Sequence, residues 1–243
     1  MRVEHGNKRV RTYLAGELVA ETMRPLLVWE VPYYPTYYFP AADVRAELVE
    51  EAGALAHSPS RGDAKTFAVR AGAAHAPRAA LRYEDSPIEE LRGAVRIAWD
   101  SMEAWFEEDE EVYTHVRDPY TRVDILASSR HVRVHVEGVT VADSHSPHLL
   151  FETGLPARYY LPRTHVRMDL LEASETVTHC PYKGRAQTWS VRAGEVLHRD
   201  LAWGYPAPLP ESQKIAGMIA FYNEKTDIEV DGVAQQRPHT KFS

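Results

Sequence analysis

With 243 residues, 44% of them hydrophobic and 26% charged, and a net charge of −7, the chain has the make-up of one large globular domain or two of ordinary size. The acidic balance excludes a mainly electrostatic nucleic-acid or membrane-surface binder, which needs a strongly basic face. A single cysteine excludes an intrachain disulfide, and no apolar run approaches the ~20 residues that span a bilayer.

Residues 1–8 carry no apolar signal core, so cytosol is the expected compartment, with neither nucleic acid nor membrane as a partner. Residues 9–21 read as a hairpin turning at Ala15-Gly16. Leu26 to Trp29 reads as a short buried strand ending at Glu30, and Tyr37 to Phe39 as a strand closed by proline. Residues 65–70 form another strand before an Ala-Gly turn. From Ser86-Pro87, Ile88, Leu91, Val95, Trp99, Met102 and Phe106 recur at spacings of three and four, which predicts an amphipathic helix. The acidic run from Glu107 to Glu111 reads as a solvated edge.

The pattern then starts again. Aligned without a gap at an offset of 122, residues 15–72 and 137–194 are identical at 22 of 58 positions. Gly16 meets Gly138, Glu30 meets Glu152, Tyr38 meets Tyr160, His57 meets His179 and Gly62 meets Gly184. Tyr83 meets Tyr205 at the same offset, which also sets Ala98-Trp99 against Ala220-Phe221. Such a run marks an internal duplication. In the second copy Val132, Val134 and Val136 alternate with Arg133 and His135, then turn at Glu137-Gly138, the signature of a half-buried antiparallel hairpin. Residues 149–151, 159–161 and 187–192 repeat the strands, residues 211–223 the helix, and residues 227–233 form a last strand. The expected organisation is a first unit over 1–112, a joining segment over 113–128 packed against a domain, and a second unit over 129–243. The fold class is α+β, mostly antiparallel β, with one main helix per unit.

Chemistry concentrates in His179-Cys180-Pro181-Tyr182-Lys183-Gly184. The first copy carries serine for Cys180, serine for Tyr182 and arginine for Lys183. Cys180 is a candidate nucleophile with Lys183 to favour its thiolate and His179 as a neighbouring base, or else a small buried hydrophobe. Glu152 is a candidate general base, or the partner of Arg167 as Glu30 would be of Arg45. Lys183 and Arg167 suit an anion, and Tyr160, Tyr182, Trp189, Trp203 and Tyr205 suit the walls of a small-molecule pocket, or an aromatic core. His145 and His148 have His-x-x-His spacing with His179 as a third donor, but Met23 and Leu26 replace the first two in the other copy, and no metal is assigned. The cofactor and the oligomeric state are open.

Tyr159-Tyr160-Leu161-Pro162, residues 166–171, the Cys-Pro-Tyr-Lys-Gly run and Trp203-Gly204-Tyr205-Pro206 together resemble a bacterial family, domain of unknown function 427. A nucleotidyltransferase-like label attaches to that family. The resemblance implies a small, mostly antiparallel fold and little chemistry, since neither a Gly-rich phosphate loop nor a paired-aspartate signature is present. The leading expectation is a small-molecule site in the second unit, with a phosphorylated or nucleotide-like ligand and an enzyme as its sharper form. A binding module or an assembly protein is the alternative. Because the first copy lacks the thiol and two aromatic groups, the more enclosed pocket is expected in the second.

Overall fold

Alternating apolar and polar residues dominate the chain, and the computed structural model, which describes residues 1–240, 242 and 243, is built almost wholly of strands. It divides into two units, Met1–Asp118 and Pro119–Ser243. The first holds β1 (Val3–His5), β2 (Val10–Leu14), β3 (Glu17–Thr22), β4 (Leu26–Val31), β5 (Tyr34–Pro40), β6 (Glu47–Ser58), β7 (Gly62–Ala71), β8 (Ala74–Arg82), β9 (Ala94–Ile97), β10 (Ala104–Glu107) and β11 (Glu110–Glu111). The second holds β12 (Val123–Ala127), β13 (Val132–Val136), β14 (Val139–Ser144), β15 (His148–Glu152), β16 (Arg158–Leu161), β17 (Leu171–Cys180), β18 (Gly184–Ala193), β19 (Val196–Gly204), β20 (Ile219–Phe221), β21 (Asp227–Val230) and β22 (Val233–Ala234).

Each unit is a pair of antiparallel sheets. In the first, a seven-stranded sheet runs β1-β4-β5-β9-β8-β7-β6 and a four-stranded one β11-β10-β2-β3. In the second the orders are β12-β15-β16-β20-β19-β18-β17 and β14-β13-β21-β22. The facing sides of the two sheets make the core. In the second unit Val132, Val134, Ile228 and Val230 of the smaller sheet join Tyr159, Leu161, Trp189, Val191 and Phe221 of the larger. In the first, Val10, Val19 and Trp105 join Tyr37, Phe39, Val69, Val95 and Ile97. Because strand side chains alternate, the larger sheet has a second face in each unit. It is also buried, around Tyr38, Tyr83 and Leu91 in the first unit and around Tyr160, Trp203 and Tyr205 in the second.

The expected main helix is absent. Among the described residues there are only short 3-10 turns and no helix of seven residues or more, so the fold is all-β in character rather than α+β. Residues 86–106 instead form a 3-10 turn at Glu89–Leu91, strand β9, a second turn at Trp99–Ser101 and strand β10. Ser86 leads into the first turn, its hydroxyl accepting from Ile88 N at 3.1 Å, one residue before the turn begins. The spacing of three and four also fits turn-then-strand. Val95 and Ile97 point into the core while Arg96, between them, points to the other face. β9 is needed between β5 and β8 to complete the sheet, and that pairing overrides the helical pattern.

The two units repeat strand for strand, but the offset of 122 does not hold to the end. Tyr38 pairs with Arg96 and Tyr160 with Ala220, so the last sheet strand is displaced by 124. Ala98 thus corresponds to Tyr222, not Ala220. The two extra residues lie in the segment 206–218 that leads from β19 to β20. In the joining region, Val123–Ala127 is an edge strand paired with β15, and Asp118 accepts a hydrogen bond from Trp29 Nε1 at 2.8 Å.

Candidate functional site

The outer face of the larger sheet in the second unit gathers most of the expected groups. β15 ends at Glu152, β16 presents Tyr160, and β19 presents Trp203 with Tyr205 just beyond it. The turn between β17 and β18 supplies Cys180, Tyr182 and Lys183. Gly184 ends the turn at φ +93°, a backbone geometry that L side chains rarely adopt. Lys183 Nζ forms an ion pair with Glu152 Oε2, and the two side chains are 9% and 10% exposed. The carboxylate partner is therefore Lys183 and not Arg167. Arg167 lies on the surface, bonded to Asp169 through Nε at 2.9 Å and Nη2 at 2.6 Å.

Tyr160 is fully buried, and its hydroxyl accepts from Trp203 Nε1 at 3.1 Å. The two rings meet edge to face, 6.1 Å between centroids. Burial pushes the Tyr160 hydroxyl far above its ordinary pKa. The Trp203 bond opposes that rise, while Cys180 and Glu152 add to it. Tyr205 is raised too, by burial first and then by Tyr160, Cys180 and Glu152. Burial thus favours the neutral form of both phenols. Cys180 is half-buried against this aromatic cluster. Its neighbour His179 is exposed on β17, where alternation turns adjacent side chains to opposite faces. Tyr182 is buried, and its carbonyl accepts from Ser212 Oγ at 3.2 Å. Trp189 is not in this group. It lies on the opposite face of β18, in the core between the sheets.

The segment 206–218 lies over the cluster. Leu209 N donates to Lys183 O at 3.1 Å, and Gly217 N to Tyr205 O at 3.0 Å. Gly204 permits this approach, because a Cβ there would sit 2.4 Å from Met218 O.

Sequence reasoning missed one member. Arg158, two residues before Tyr160 on the same face of β16, forms a bidentate pair with Glu224, both bonds 2.7 Å. Thr240 Oγ1 donates to the same carboxylate at 2.6 Å. These bonds outweigh burial and hold the Glu224 carboxyl at about 2. The guanidinium lies 5.6 Å from the Trp203 ring centroid. The signal was the two-residue spacing from Tyr160, but Thr36 occupies that place in the first copy, so the repeat gave no hint.

The first unit carries the same charged arrangement. Glu30 Oε1 accepts from Tyr38 Oη at 2.7 Å and Arg96 Nε at 2.9 Å, and Arg61 Nη1 lies 2.8 Å away. Arg61 also stands 5.3 Å from the Tyr83 ring centroid. Burial pushes the Glu30 carboxyl up, but Arg96, Tyr38 and Arg61 more than offset it and hold it below the usual range. Arg61, not Arg45, is thus the recurring partner. This unit also has a cavity of about 410 Å³, lined by Glu30, Tyr34, Tyr37, Arg96, Trp99 and His115 among others.

The His145–His148–His179 grouping is also not the one formed. His145 instead stands with His131 and Asp143, their donor atoms within 4.8 Å of one another.

A family model described as domain of unknown function (DUF427) matches residues 2–108 and again residues 124–232. The chain belongs to the DUF427 family. Its two matched stretches follow the two units, so this chain is a tandem pair of DUF427 domains. No curated protein matches it. Among the described residues of the DUF427 pair, no helix is long and apolar enough to cross a membrane.

Proposed function

We propose that the second DUF427 unit binds a small polar molecule at the Glu152–Lys183 pair, with Tyr160, Trp203 and Tyr205 as its wall and Cys180 at its rim. What supports this reading is a difference between the two copies. Glu30 is ringed by two guanidinium groups and a phenol, whereas the described hydrogen bond to Glu152 is that of Lys183 alone. Arg96 has become Ala220, and the phenol of Tyr160 is engaged by Trp203. A buried ion pair costs as much as it stabilises. One kept at the same place in both copies, outside the intersheet core, and left with spare donors and acceptors in one, suits recognition. Lys183 would take an anionic oxygen such as phosphate, Glu152 would accept a ligand hydroxyl or amine proton, and the rings would stack on a planar or sugar-like body. In an enzymatic form Glu152 is the proton acceptor. The first-unit cavity beside Glu30 and Arg96 is a second seat for such a ligand.

Removing one partner of the pair strands a buried charge at a cost of about 3–5 kcal/mol, whereas replacing both with apolar groups is close to neutral. The test is therefore a double substitution, Glu152→Leu with Lys183→Met. Nucleoside monophosphates, sugar phosphates and inorganic phosphate should raise the melting temperature of the wild type and leave that of the double variant unmoved. A shift that survives the double variant and disappears in Arg96→Met would move the site to the first unit. No shift with any of these probes would defeat the reading.

A further inference from the structure

The smaller sheet of the second unit carries a group that the site above does not use. His131 stands just before β13, Asp143 is on β14, and His145 follows β14 by one residue. His131 Nε2 lies 2.7 Å from Asp143 Oδ1. The His145 ring is stacked on the His131 ring, 3.9 Å between centroids and 14° from parallel. One carboxylate oxygen and two imidazoles therefore converge within 4.8 Å.

The first unit shows what this position does when it is only structural. The counterparts of the three residues are Arg9, Glu21 and Met23. Arg9 donates to Glu21 Oε1 through Nε at 2.7 Å and Nη2 at 2.5 Å, an ordinary cross-strand ion pair, and Met23 is exposed beside it. In the second unit the guanidinium, which cannot ligate a metal, has become an imidazole, and the thioether has become a second one. The two changes together turn an ion pair into a donor set of two nitrogens and one carboxylate oxygen. The surroundings also fit. His131 is fixed by its backbone N–H, which donates to Asp231 Oδ1 at 2.9 Å. Of the nearby cations, Arg130 is paired with Asp231 at 2.7 Å and Arg133 with Glu229, so neither opposes a further positive charge.

We propose that His131, Asp143 and His145 form a site for a divalent transition metal of the zinc class. Two imidazoles and a carboxylate are the donors this class of ion takes, and three protein ligands leave a coordination position for water or an added ligand. Asp143 and His145 are exposed, so their side chains are not held by packing and can turn toward an ion. The His131 nitrogen that faces Asp143 must then present its lone pair, with the ring proton on the other nitrogen.

The experiment is calorimetric titration of the chelator-treated full chain with zinc chloride, alongside His145→Met, which copies the first unit, Asp143→Ala, and the control His75→Ala. We expect one equivalent bound by the wild type and by His75→Ala, with affinity at least about tenfold weaker in His145→Met and Asp143→Ala. Zinc should also raise the melting temperature of the wild type, and the chelator should abolish the rise. Equal zinc affinity in all four proteins, or no binding by the wild type, overturns the proposal. A loss of chelator-treated stability in Asp143→Ala with no zinc-dependent shift in the wild type makes the group a plain ion pair.

Discussion

Trp203 Nε1 donates to Tyr160 Oη, whereas at the same place in the first unit Tyr38 Oη donates to Glu30. The indole has drawn the buried phenol away from the carboxylate. Leu81, the first-unit counterpart of Trp203, has no such donor, so its tyrosine turns to the glutamate. Trp203→Phe keeps an aromatic ring and removes the donor. We expect a loss of about 1–2 kcal/mol, from one hydrogen bond and a slightly smaller ring, read as a lower urea midpoint with an unchanged slope. A change below a few tenths would mean that the phenol finds another partner at once.

The Arg158–Glu224 pair gives a prediction in acid. The Glu224 carboxyl is held at about 2, below its ordinary value of 4.5. A depressed carboxylate contributes stability that is complete above the unfolded value and is lost as pH falls through the folded one. The window is therefore pH 5 down to 2, and the contribution is on the order of 3 kcal/mol. Glu224→Gln should flatten the fall in stability across that window. A wild type and variant with parallel pH profiles would show that the pair does not drive acid unfolding.

Gly204 sets a steric test of the segment over the site. Gly204→Ala places a methyl group 2.4 Å from Met218 O. The segment must lift, at a cost of about 1–3 kcal/mol. We expect the half-buried Cys180 thiol to react faster with a thiol reagent in this variant than in the wild type, under native conditions. Equal rates would mean that the thiol is reached from another side.

The sequence made much of this visible, for identifiable reasons. Strict alternation at Val132, Val134 and Val136 has a single reading, and the structure follows it, with the hairpin turning at Glu137 and Gly138. The segment from Ile88 to Phe106 has two readings, since 3-10 turns alternating with short strands also place apolar groups three and four apart. Only the vacancy between β5 and β8 decides between them. At the site, Glu152 stood out because it recurs and the Cys-Pro-Tyr-Lys-Gly turn because the first copy keeps only its proline and glycine, and the two do come together. Their partnership was misread. Arg167 and Arg45 recur just as faithfully as Lys183 and Arg61, and recurrence does not say which cation crosses the sheet. Trp189 shares its residue type with Trp203 but not its face. Arg158 and His131 were invisible for the opposite reason, because their roles exist in one copy only.

A long strand of each unit, β6 with 12 residues and β17 with 10, lies at the margin of its larger sheet. A straight margin of that length would offer a continuous row of vacant amides and carbonyls to any passing chain, the usual route to intermolecular ladders. Here the row is interrupted. β6 pairs inward through residues 47–50 and again through 55–58, and β17 through 171–173 and 177–180, with an irregular stretch between. Charged side chains along both strands, among them Glu47 paired with Arg70 and Glu172 paired with Arg192, add a desolvation cost to any further pairing there. Among the twenty-two described strands, these two long free borders are each cut into shorter pieces, which makes them poor templates for growth.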